Sequence, residues 1–78
     1  MKSCEQYYTY KKFIICFSKI SQCWLLEPIF INDIDFQTEY RNNYSEEFKT
    51  IKNAKEYIKD NEQELKQNIY KLYEELNK

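Results

Sequence analysis

Tyr8-Thr9-Tyr10-Lys11-Lys12-Phe13-Ile14-Ile15-Cys16-Phe17 decides the fold class, because its aromatic and β-branched residues suit a pleated surface and not a helix. On an extended chain Tyr8, Tyr10, Lys12, Ile14 and Cys16 fall on one side, and Thr9, Lys11, Phe13, Ile15 and Phe17 on the other. The stretch predicts a strand over 8–17. After Ser18-Lys19-Ile20-Ser21 comes a second short apolar run, Gln22 to Leu26, and Pro28 then removes a ladder donor. The two runs predict an antiparallel β-hairpin over about 8–27.

Downstream of residue 50 the period changes. Ile51, Ala54, Ile58, Leu65, Ile69, Leu72 and Leu76 recur at helical spacings. Thr50 suits an N-cap, and Asn61 followed by Glu64 forms a capping-box signature, so two helices with a break near Asp60 are favoured over one continuous helix across 50–77. Residues 28–47 lie between these blocks and alternate only in part, which reads as a loop or a third strand. The expected fold is therefore α+β: an N-terminal antiparallel hairpin or three-stranded sheet packed by one or two C-terminal amphipathic helices, in one domain over 1–78.

At 78 residues the chain has room for one core. Aromatics form 18% of it and charged residues 32%, so it has enough area to bury and no disordered composition. Glycine is absent and Pro28 is the single proline, which leaves Asn32-Asp33, Asn42-Asn43 and Asp60-Asn61 as the expected turn marks. Cys4, Cys16 and Cys23 are an odd set without a signal-peptide pattern, so free thiols in a reducing cytoplasm are expected, with Cys16 a small core residue. The apolar runs are too short for a membrane span.

Catalytic signatures are scarce. Nucleophilic Ser or Cys chemistry usually recruits a histidine base, and the sequence contains no histidine. Phosphate loops and dinucleotide fingerprints need glycines that let the backbone approach the ligand. Asp33 and Asp35 are the one compact acid couple outside the helices, too few ligands for a calcium loop. No enzyme activity, metal or cofactor is expected.

Charge is unevenly spread under a total of −1. Residues 1–26 set Lys2, Lys11, Lys12 and Lys19 against Glu5, a balance of +3. Residues 27–47 set Glu27, Asp33, Asp35, Glu39, Glu46 and Glu47 against Arg41, a balance of −5. In that acidic segment Phe36, Tyr40 and Tyr44 interleave with the carboxylates. Aromatic anchors beside negative charge suit an interface with a basic protein surface, so Asp33, Asp35, Phe36, Glu39, Tyr40, Tyr44, Glu46 and Glu47 are the candidate partner-binding residues. The C-terminal stripe is expected to cover the sheet, with homodimerisation through Tyr70, Tyr73 and Leu76 as the alternative.

The stretch Phe48-Lys49-Thr50-Ile51-Lys52-Asn53-Ala54-Lys55-Glu56-Tyr57-Ile58 resembles the strand-to-helix junction of small phage and mobile-element domains, notably the arm-type DNA-binding domain of phage integrases. The resemblance implies a three-stranded sheet crossed by a helix, with DNA contacted by the other face. The chain departs from it in lacking glycine and in being acidic where the third strand is implied. Two functions follow as expectations. One is a non-catalytic inhibitor of a host nucleic-acid-handling system, in general character similar to anti-CRISPR proteins and acting in the host cytoplasm. The other is a DNA-binding accessory protein using a basic hairpin of Lys11, Lys12 and Lys19.

Overall fold

Lys11 and Lys12 are a turn. In the computed structural model, which describes residues 6–77, the stretch expected as one strand is two, β1 (Tyr7–Tyr10) and β2 (Phe13–Ser18). They pair antiparallel with Tyr10 opposite Phe13 and Tyr8 opposite Ile15, so two lysines close the hairpin. Both have positive φ, 46° and 68°, as a type I′ turn requires. Asn-Gly usually fills that turn, and in a chain without glycine the lysines hide it. None of the three Asn/Asp turn marks has positive φ; the third such residue is Gln22, at φ 56°.

A second reversal leads to β3 (Cys23–Pro28), completing a three-stranded antiparallel sheet of order β1-β2-β3. Here the Ser18 hydroxyl accepts from the Ser21 amide at 3.2 Å, and the Gln22 side-chain amide donates to the Lys19 carbonyl at 2.6 Å. The outer edge of β3 is occupied. Trp24 and Phe48 exchange backbone hydrogen bonds of 2.7 and 3.0 Å, and the Leu26 amide donates to the Ser45 hydroxyl at 2.7 Å. Residues 45–48 thus satisfy groups that would otherwise template aggregation.

The middle segment is helical where a loop or third strand was expected. α1 (Ile34–Asn43) starts at Asp33, whose carboxylate accepts from the Phe36 amide at 3.1 Å, and ends at the Asn42-Asn43 pair. The two punctuation marks therefore bracket a helix. Phe36 and Tyr40, four apart, form its inward face. Thr50 caps α2 (Ile51–Leu76) as expected, its hydroxyl accepting from the Asn53 amide. α2 is one run kinked at Asn61, where φ and ψ are −123° and 20° and the side-chain amide donates to the Tyr57 carbonyl at 3.0 Å.

The architecture is α+β, a sheet followed by two helices. Phe13, Ile15 and Leu26 on one sheet face meet Ile31, Phe36, Tyr40, Ala54, Ile58, Leu65 and Ile69 in a single cluster. Each large side chain fully buried there contributes about 1.5–3 kcal/mol. The α2 stripe thus covers the sheet, leaving Tyr70 and Leu76 exposed. Alternation along the strands sends Ile14, Cys16, Cys23, Leu25 and Glu27 to the other sheet face, where they are also buried. Cys23 is a free thiol, but Cys16 is disulfide-bonded, so the expectation of free thiols fails at Cys16. Cys4 and Lys2 lie outside the described residues. Among those described, no helix is long and apolar enough to cross a membrane.

Candidate functional site

The eight candidate residues divide into three groups because α1, not a loop, carries half of them and is capped by a fifth, Asp33. Helical spacing turns Phe36 and Tyr40 inward, where they are only 5% and 7% exposed, so neither presents a ring to a partner. Burial pushes the Tyr40 hydroxyl up to about 12, helped by repulsion from Tyr57 when that phenol ionises and from the Glu46 carboxylate. Tyr44, Glu46 and Glu47 follow the last turn of α1, with Tyr44 stacked on Tyr40.

Asp33, Asp35 and Glu39 come together. With Phe36, Leu76 and Asn77 they line a cleft of about 250 Å³ between the start of α1 and the end of α2. Asp33 holds the cleft in shape: one carboxylate oxygen caps α1 and the other accepts from the Tyr73 hydroxyl at 3.1 Å. That bond, with burial and the Asp33 charge, raises the Tyr73 pKa above the ordinary phenol value. Edge-to-face packing of Phe36 on Tyr73, with centroids 4.9 Å apart, fixes the helix ends against each other. Asp35 and Glu39 are exposed and lie four apart on one helix, a like-charge spacing that costs a few tenths of a kcal/mol. Such a cost adds nothing to the fold.

Apolar surface at this end was not among the expected anchors. Ile34, 74% exposed beside Asp33 and Asp35, and Leu76, 44% exposed at the cleft wall, are the large aliphatics here that reach solvent. Leu76 belonged to the α2 stripe and Ile34 to an unassigned segment. The signal that finds them is a helical reading of residues 34–43, which turns Ile34 away from Phe36 and Tyr40.

Positive charge gathers elsewhere, and not as a hairpin patch. Lys11 and Lys12 sit at one end of β2 and Lys19 beyond the other, so the strand separates them. Lys11 instead faces α2, with its Nζ 5.7 Å from the Tyr10 ring centroid and 3.7 Å from Glu62. Lys55 approaches the same ring, also at 5.7 Å. A groove of about 420 Å³ runs there, lined by Tyr10, Ile51, Lys52, Lys55, Glu56 and Lys59. A hydrogen bond from Lys66, reinforced by the Lys11 and Lys66 charges, holds the Glu62 carboxyl below its ordinary value.

Among the described residues no group of three or more His, Cys, Asp or Glu is placed to hold a metal ion. Neither a protein-family model, nor a curated protein, nor a solved structure matches the chain.

Proposed function

We propose that the protein is a non-catalytic binding module whose acidic cleft between α1 and the end of α2 receives a basic side chain of a protein partner. The observation that carries this reading is the cleft itself, with Asp33, Asp35 and Glu39 on one side and Phe36 and Leu76 as apolar wall. A lysine or arginine has matching chemistry, an aliphatic stem for the exposed Leu76 and a cationic head for the carboxylates. Asp33 is already committed to its cap and to Tyr73, so Asp35 and Glu39 supply the charge that a partner meets. A partner surface rich in such side chains is the kind that handles nucleic acid, and occupying it would inhibit that partner.

The test is an NMR titration with a short oligolysine peptide. Saturable shifts confined to Asp35, Glu39, Leu76 and their neighbours, lost in Asp35→Lys/Glu39→Lys, are expected. Both side chains are exposed, so the variant keeps the fold. Shifts elsewhere, or unchanged in the double variant, sink the proposal.

A further inference from the structure

The geometry points to a second site of opposite sign, a groove between the β1–β2 turn and the first half of α2 that binds the backbone of single-stranded nucleic acid. Lys52, Lys55 and Lys59 lie at spacings of three and four, which places all three on one side of α2, with Ile51 and Tyr10 as the apolar floor. Lys11, on the turn, brings its Nζ to 5.7 Å from the centroid of the Tyr10 ring that floors the groove. Glu56 is the one acid in the lining, and Glu62 divides its charge between Lys11 and Lys66.

Two features of the groove run against stability. The Lys11-Lys12 turn holds two non-glycine residues in the left-handed region, at about 1–2 kcal/mol each. In addition, the first turn of α2 contains Lys52 and no acid, although the positive end of the helix dipole favours carboxylates. Positive side chains added to a positive helix end make a field suited to an anion.

The side chains select the anion. Arg41, the sole arginine, is buried against Glu27, so every accessible cation of the groove is a lysine. Lysine ammonium groups act as point charges that follow phosphates without fixed geometry, whereas paired recognition of carboxylates favours the arginine fork. With no arginine fork to read base edges, binding is independent of sequence. The partly buried Tyr10 of the groove floor offers an aromatic ring on which an unpaired base can stack.

Fluorescence anisotropy with labelled oligothymidine tests the site. Four lysine–phosphate contacts predict that affinity falls about 50-fold between 50 and 200 mM salt. Lys52→Gln/Lys55→Gln/Lys59→Gln leaves one contact, so the salt effect shrinks to about 3-fold and affinity at 50 mM drops at least ~10-fold. Lys71→Gln, on the C-terminal half of α2, and Asp35→Lys/Glu39→Lys, at the acidic cleft, are expected to retain groove binding. All the substituted side chains are exposed, and each variant is expected to keep the parent's circular dichroism spectrum. The inference is overturned by absent binding at 50 mM salt, by a triple variant that binds like the parent, or by polyglutamate of equal charge competing as well as the oligonucleotide.

Discussion

Arg41 and Glu27 show how a single residue can mislead a linear reading. In sequence, Arg41 is the one cation of an acidic segment and Glu27 an interruption of an apolar run, and nothing connects them. The register of β3 and the pitch of α1 bring them together at 2.6 Å, with 7% and 2% of their side chains exposed. Residues fourteen apart on different elements carry no periodic signal, so this pair was not legible. Desolvation offsets most of the attraction between buried charges, so the pair contributes more to the unique docking of α1 than to net stability. Arg41→Leu leaves the Glu27 carboxylate buried without its guanidinium and is expected to cost about 3–5 kcal/mol in urea denaturation, whereas Glu27→Leu/Arg41→Leu recovers most of that loss. A single variant within about 1 kcal/mol of the parent would show that the pair is solvated in solution.

At the scale of elements, legibility followed the amount of buried apolar surface. α2 turns Ala54, Ile58, Leu65 and Ile69 inward over 26 residues, and so long a repeat announces itself. α1 buries Phe36, Tyr40 and Arg41 in 10 residues, too short a stripe to separate from a loop. The candidate site inherited that ambiguity. Charge needs no period, so Asp33, Asp35 and Glu39 stand out without knowledge of the helix, whereas the inward facing of Phe36 and Tyr40 depends on it. α2 also carries its charges against its own dipole, with Lys52 in the first turn and Glu74 and Glu75 near the last, where no basic residue stands. Lys52→Glu with Glu75→Lys is therefore expected to stabilise the protein by about 1 kcal/mol in low-salt thermal or urea unfolding. Lys52→Glu alone weakens oligothymidine binding. Stability and binding moving in opposite directions is the signature of charges kept for a ligand; movement together would contradict it.

For the whole molecule, folding converts the three charge blocks of the linear sequence into two poles. The acidic block supplies Asp33, Asp35 and Glu39 at the end of the molecule where α2 finishes, and the basic start contributes Lys11 to a groove that α2 begins. At about 1.5 Å per residue the poles stand roughly 30 Å apart along α2, well beyond the ~10 Å screening length at 0.1 M salt. Each pole therefore acts independently under ordinary conditions, and the net charge of −1 conceals both. When salt is lowered until the screening length approaches that separation, the acidic cleft of one molecule and the lysine groove of another become complementary surfaces. They are different patches, so the contact is head-to-tail and leaves a free patch of each kind on a pair of molecules. The expected result is a weight-average mass by light scattering that rises with protein concentration at about 10 mM salt, where screening extends to ~30 Å, and returns to the monomer value at 0.15 M. Asp35→Lys/Glu39→Lys should stay monomeric at both. Association that survives high salt or the double variant would instead place the contact on apolar surface, where Ile20, Ile34, Tyr70 and Leu76 are among the exposed side chains.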